Sequence, residues 1–228
     1  MKTNWRVELP LLLLIAAMFA GAIVAWPTAP ARIPVHWNLD GTVDGYGGKV
    51  EGLLGIPLLA LAIYLLMRFL PRIDPGRANY ARFGGAYTAL RAGIVVLMAV
   101  LYGVILSTAL EHPVDVSRVV PIAVGALFVL VGTVLGKIRP NWFVGIRTPW
   151  TMSSKISWVR THRLGGWLFM ALGALFAATG AFKLGSFGFV VIGAVIAVVV
   201  ILFVYSYVVW KADPEKQPPA GTQPADEE

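Results

Sequence analysis

Two polar stretches in a largely apolar chain stand out for the kinds of side chain they bring together. The first reads PTAPARIPVHWNLDGTVDGYGGKVEG over residues 27–52. It brings His36, Trp37, Asn38, Asp40 and Asp44 close together and adds Lys49, so donors, acceptors and an aromatic face are neighbours. Such a set suits contacts to a peptide or a lipid headgroup. It also suits an ordered turn capping a bundle, because Asn38-Leu-Asp40-Gly41 and Asp44-Gly45 are turn signals. Counted from Asp40, the residues Asp40, Thr42, Asp44, Gly45 and Glu51 reproduce the spacing of a calcium loop, with its sharp-turn glycine and final carboxylate. Thr42 is a poor third ligand and Pro34 leaves no room for a preceding helix, so calcium at Asp40, Asp44 and Glu51 is the weaker reading.

The second stretch reads GKIRPNWFVGIRTPWTMSSKISWVRTHRLGG over residues 136–166. Pro140 and Pro149 break helices, which predicts an extended or turning first half. Thr151 or Ser153 is expected to cap a helix running through Lys155, Trp158 and Arg163. Basic residues interleaved with tryptophans suit an interfacial segment drawn to anionic lipid, or a surface for an acidic protein. Arg147 presents a planar fork that holds a carboxylate or backbone carbonyls in fixed geometry. Asn141, Thr148 and His162 can join it in a pocket; residue types alone do not choose between pocket and anchor.

The chemistry that is absent narrows the function. Without cysteine there are no disulfides, thiol nucleophiles or thiolate metal sites. The three histidines are scattered, and no HExxH, GxSxG or phosphate-binding glycine loop occurs. No Asp or Glu is expected inside an apolar span, so a carboxylate proton relay and intramembrane aspartyl proteolysis lack their parts. Neither an enzyme nor a cofactor is expected. A small-molecule or lipid-handling transporter, working through backbone carbonyls or serine, is the reading from another class.

These segments must be held by the apolar remainder. The 228 residues are 57% hydrophobic and 14% charged, with a mean hydropathy of +0.73. Soluble domains are about 45–50% apolar and about 25% charged, so the chain reads as an integral membrane protein. Six stretches reach the roughly 20 apolar residues a hydrocarbon core requires: Leu9–Trp26, Leu53–Leu70, Ala92–Leu110, Val119–Leu135, Leu164–Phe182 and Ser186–Trp210. The expected fold is all-α, a polytopic bundle of about six transmembrane helices.

Fifteen of the nineteen Lys and Arg residues fall at the termini or in the second-to-third and fourth-to-fifth connections. Arg68, Arg72, Arg77, Arg82 and Arg91 are assigned to the former. By the positive-inside rule both termini and the 136–166 loop are cytoplasmic, and the 27–52 loop faces out. The basic balance then needs no direct nucleic-acid partner. Ala29-Pro30-Ala31 imitates a secretory cleavage site, but the long apolar run before it favours a retained anchor. Gly132 and Gly136 form a GxxxG pair suited to intramolecular packing. The organisation expected is an N-terminal membrane region over 1–110, a second membrane region over 111–210, and a disordered cytoplasmic tail over 211–228.

The segment Arg139-Pro-Asn141-Trp-Phe-Val-Gly145-Ile-Arg147-Thr148-Pro149-Trp150-Thr151, followed by Trp158 and Thr161-His162-Arg163, resembles the hallmark of the SdpI family of bacterial immunity proteins. The stretch Ile33-Pro34-Val35-His36-Trp37-Asn38, with Gly41, Asp44 and Lys49, resembles the domain of unknown function that commonly precedes it. The resemblance implies a multi-pass protein of the bacterial cytoplasmic membrane that protects its producer from a secreted antibacterial peptide toxin. It also implies, in the founding system, sequestration of a cytoplasmic repressor. A toxin arriving from outside would meet His36, Trp37, Asn38, Asp44 and Lys49, and a repressor would meet the basic inner loops. Membrane lipids are the remaining partners expected.

Overall fold

A computed structural model describes residues 4–112, 114–183 and 188–217. Its helices are α1 (Trp5–Ala25), α2 (Lys49–Ile73), α3 (Tyr80–Ala109), α4 (Val116–Leu135), the short α5 (Pro149–Ser153), α6 (Lys155–Ala181) and α7 (Gly188–Lys211). All but α5 are long and apolar enough to cross a membrane. Each expected span falls within one long helix apart from a residue or two at its ends; Ser186 lies outside the described residues. The apolar surfaces left uncovered, such as Leu13 and Ile23 on α1 and Val199 and Phe203 on α7, are those a bilayer would cover.

The helices extend beyond the apolar runs, and this changes the assignment of several charges. Arg68 and Arg72 belong to the last turns of α2, while Arg82 and Arg91 belong to α3, leaving only 74–79 between those helices. At 30 residues α3 is about 45 Å long, half as long again as a hydrocarbon core. The helix α1 begins four residues before the expected span and so takes in Glu8, which is buried. The expectation that no carboxylate lies within a spanning helix is therefore wrong: an apolar window stops at the first charge, whereas a helix continues wherever its charges find partners.

One face of the bundle carries a β-hairpin that the hydropathy pattern did not predict. Strands β1 (Ile33–Trp37) and β2 (Val43–Gly47) pair antiparallel, with Ile33 opposite Gly47 and Trp37 opposite Val43. Ile33 is fully buried and roots the hairpin on α2, where a Cβ at Gly52 would come within 2.8 Å of it. Alternating helices put this hairpin at one end of the molecule and the 136–154 segment at the other. We call these the hairpin end and the signature end.

The chain folds as two packing groups. Leu11, Ile15, Met18, Leu53, Tyr64 and Val95 join α1, α2 and α3. Tyr80, Phe83, Tyr87, Leu135, Ile138 and Trp158 join the start of α3 to α4 and α6 at the signature end. The closest helix contact is that of α4 on α6. There a Cβ at Gly125 would lie 2.5 Å from the Gly173 carbonyl oxygen, and one at Gly132 would lie 2.6 Å from that of Gly166. The glycines that matter are thus spaced by seven residues on each helix, and both backbones touch. Gly136 does not take part, since a Cβ there would meet only the Arg163 Cα at 3.9 Å.

The C-terminal segment departs from expectation as well. Residues 212–217 fold back on the signature end instead of trailing away, with Ser154 Oγ donating to Asp213 Oδ2 at 2.5 Å and the Gln217 amide to the Ser153 carbonyl at 3.1 Å. The rest of the expected tail, 218–228, lies outside the described residues.

Candidate functional site

At the hairpin end, register and turn chemistry account for each expected residue. Asn38 Oδ1 accepts from the amides of Asp40 and Thr42, both at 3.0 Å, and Gly41 takes the positive φ of 81° that closes the tip. The strands bring the exposed side chains of His36 and Asp44 together, Nδ1 to Oδ1 at 2.5 Å. Lys49 is spent on architecture, its ammonium donating to the Trp26 carbonyl at 2.8 Å and tying α2 to the end of α1. Asp44 is committed to His36, and Glu51 stands in the first turn of α2. Among the described residues no three His, Asp or Glu side chains gather as a metal site, so the calcium spacing at Asp40, Asp44 and Glu51 is not realised.

Beneath the hairpin lies a cavity of about 370 Å³ whose walls are mostly apolar. His36, Trp37 and Asn38 form its roof, and Ile105, Val120, Val124 and Phe176 of α3, α4 and α6 line its depth. A second hollow of about 270 Å³ adjoins it across Leu39 and Phe176 and reaches α7. Ser117 of that lining donates to Asp115, whose Oδ2 meets Lys183 Nζ at 2.7 Å; this ammonium, helped by the Ser117 hydroxyl, holds the Asp115 carboxyl below the usual carboxylate range. The hairpin therefore roofs an apolar chamber in addition to capping the bundle.

At the signature end the structure divides the expected residues into builders and exposed groups. Asn141 is buried at the centre of the loop: its amide donates to the carbonyls of Arg139 and Val144, and its Oδ1 accepts from the amides of Phe143 and Val144. His162 is 1% exposed and stacks on the fully buried Trp158 at 4.1 Å. Its Nε2 accepts from the Ile146 amide at 3.0 Å and its Nδ1 faces the Trp158 carbonyl at 2.8 Å, so one neutral tautomer satisfies both bonds. Gly145 carries a φ of 114°, and a Cβ there would lie 2.3 Å from His162 Nε2. Trp158 Nε1 donates to the Ile138 carbonyl. Thr148 and Thr151 form a reciprocal capping box on α5, with Pro149 in its first turn and Trp150 edge-on to Phe203 of α7. The helix that follows is capped by Ser154, one residue beyond the expected Ser153.

Arg147 is exposed and stands apart from the Asn141 and His162 contacts, its guanidinium donating to the Trp142 carbonyl. The expected cluster of Arg147, Asn141, Thr148 and His162 is thus three buried residues that build the loop, with the arginine on the outside. Exposed Lys155, Arg160 and Arg163 and half-buried Arg139 extend the basic surface. A cavity of about 610 Å³ opens beside it, between Arg82, Arg139, Lys155 and the folded-back Asp213 and Glu215. The Ser154 hydroxyl, then the Glu215 amide, hold the Asp213 carboxyl below its ordinary value.

Several residues that matter here escaped the sequence reading. Buried Asp74 accepts from the Tyr80 hydroxyl at 2.8 Å, the Gly76 amide at 2.6 Å and the Trp142 amide at 3.2 Å. Asn79 donates to the Pro140 carbonyl at 2.7 Å. The short α2–α3 turn is therefore the clamp that seats the signature loop. Nearby, Glu8 receives a 2.5 Å bond from Arg91 Nη2 and another from the Tyr64 hydroxyl, with Arg68 Nε at 3.9 Å. The available signal was Glu8 itself, one residue before the expected span.

Residues 137–206 match the SdpI/YfhL protein family, and residues 12–61 match a domain of unknown function, DUF1648. The chain is similar to the protein named immunity protein SdpI of Bacillus subtilis strain 168, at 21% identity over 177 residues, covering 75% of this chain and 80% of that one. No solved structure matches it. With six apolar helices, these likenesses make it a multi-pass bacterial membrane protein.

Proposed function

We propose, from the premise that the chain belongs to the SdpI family of bacterial immunity proteins, that it protects its producer against a secreted antibacterial peptide. The observation that carries this reading is the match over 137–206, which takes in most of the signature loop and the helices holding it. The charge asymmetry supports the hairpin end facing outward, where a peptide arrives first. There His36, Trp37 and Asn38 offer polar and aromatic contacts above an apolar chamber of about 370 Å³, suited to an apolar side-chain cluster of the toxin. At the opposite end exposed Arg147, Lys155, Arg160 and Arg163 form the surface that would receive an acidic face of a cytoplasmic repressor.

The test is survival. The chain is expressed in a peptide-sensitive bacterial host and challenged with supernatant from the producing strain. Protection by the unchanged chain, and its loss in a His36→Ala/Asp44→Ala variant at equal membrane abundance, is the expected result. Full protection by that variant would make the pair a structural cap. No protection by the unchanged chain, together with uptake of a small molecule into vesicles containing it, would favour transport. Reporters fused at Gly47 and Ser154 should report opposite sides of the membrane; the same side for both would overturn the orientation.

A further inference from the structure

Beyond Lys211 the chain turns back on the signature end, and the way it is held defines a groove. Asp213 is 3% exposed, whereas every other residue from Lys211 to Gln217 is exposed, so one side chain anchors the segment. Its carboxylate makes two bonds. Oδ1 accepts from the Glu215 amide at 2.9 Å and closes a turn around Pro214, which has no amide to leave unpaired. Oδ2 accepts from the Ser154 hydroxyl at 2.5 Å. Ser154 is the N-cap of α6, and its Oγ also accepts from the Ser157 amide at 2.9 Å. The carboxylate thus meets the positive end of a 27-residue helix. Four residues after it, the Gln217 amide reaches the Ser153 carbonyl at 3.1 Å.

The groove is larger than the segment lying in it. About 610 Å³ stays open between the segment, the α5–α6 junction and a third side carrying Arg82 and Arg139. Among the described residues neither Asp213 nor Glu215 forms an ion pair with Arg82, Arg139 or Lys155. A ligand that reproduced the Asp213 anchor and carried further carboxylates would therefore gain contacts that this segment does not make. The segment holds its place through proximity, since only Ala212 separates its anchor from the end of α7, and so short a tether gives a millimolar effective concentration. We propose that this groove docks an acidic, turn-forming segment of a protein partner, and that residues 212–217 are its internal occupant, a strap the partner displaces. This rests on the reading above that an acidic partner meets the signature end.

The first probe is a fluorescent peptide with the sequence of residues 211–217, Lys-Ala-Asp-Pro-Glu-Lys-Gln, titrated into the full-length protein in neutral detergent and read by anisotropy. Asp213→Asn removes the charge-assisted bond, opens the groove and should tighten probe binding about tenfold over the parent. Gln217→Pro deletes the amide bond to Ser153, keeps the carboxylate, and should tighten binding several-fold. The same peptide with Asn in place of its Asp should bind none of them. A second probe, with two glutamates added after the last residue, should bind Asp213→Asn more tightly than the first. Arg139→Gln should abolish that added gain, and Lys137→Gln, outside the groove, should leave it. Equal binding of the first probe to the parent and both variants would overturn the strap, and no binding to any would overturn the groove. Equal binding of the Asp and Asn peptides would overturn the anchor, and an equal loss with Lys137→Gln would mean diffuse surface charge in place of docking. Survival under toxin challenge is scored separately: a groove that opens in a chain that does not protect overturns the immunity reading alone.

Discussion

Gly145→Ala is the sharpest single test of the signature loop. Two independent costs converge on that position. An alanine at a φ of 114° occupies backbone space that L-residues avoid, at about 1–2 kcal/mol. Its methyl group would also lie 2.3 Å from His162 Nε2, so the ring must withdraw and abandon the 3.0 Å bond from the Ile146 amide. An amide left without its acceptor costs about 1–3 kcal/mol, and the total is about 2–5 kcal/mol. The assay is unfolding by sodium dodecyl sulfate in mixed micelles, read against Gly136→Ala, where a Cβ meets almost nothing and the effect should stay within about 0.5 kcal/mol. A double-mutant cycle separates the two costs. In a His162→Ala background the methyl has no ring to displace, so Gly145→Ala should then cost only the backbone share, about 1–2 kcal/mol. An equal cost in both backgrounds would refute the steric argument, and a cost under about 1 kcal/mol in the parent would refute both halves.

Glu8→Ala should destabilise the α1–α2–α3 group by about 3–5 kcal/mol by leaving Arg91 buried without its carboxylate, and Glu8→Met/Arg91→Met should recover much of that in the same unfolding assay. Arg147→Lys should leave unfolding within about 0.5 kcal/mol of the parent, because the arginine is exposed, so a loss of protection at equal abundance would report a contact with a partner. The folded-back C-terminal segment should release in acid. Asp213 has a folded value below its free value near 3.8, so its contribution to docking is complete above that value and disappears as pH falls through the lower, folded one. Quenching of Trp210, whose Nε1 donates to the Gln217 carbonyl, should report this release, and Asp213→Asn should abolish the pH step; a step centred at or above the free value would contradict the assignment.

The number of spanning helices and the place of the two polar segments were legible because hydropathy is a local property and α-helices in a bilayer satisfy their own backbone. The hairpin was less so. Four of the fifteen residues over 33–47 are glycine or proline, and the pairing depends on a register that sets His36 opposite Gly45 and on Ile33 being buried against α2. The resemblance to the SdpI family picked out Asn141, Gly145 and His162, but their roles emerged only with the fold, where the first two shape a loop and the third receives its amide. Arg147 carried the chemical argument from residue type and proved peripheral to that loop. Asp74 and Glu8 were missed for a common reason. Their partners Trp142 and Arg91 lie 68 and 83 residues away, and nothing in a single sequence pairs charges across such distances.

That separation of Glu8 from Arg91 has a meaning in time as well as in space. A ribosome adding about 5–20 residues per second takes roughly 4 to 17 s to make the 83 residues between the two partners. From the completion of α1 at Ala25 to the end of that interval, the helix carries a carboxylate in its first turns while its guanidinium has not yet been made. A lone charge is tolerable near a helix end and expensive at the centre, so nascent α1 is held to a shallow seat with Glu8 among the headgroups. Only when α3 emerges can the carboxylate be drawn under cover. The ion pair can therefore close only after α3 has been made, which is the earliest point in synthesis at which this contact can join α1 to α3.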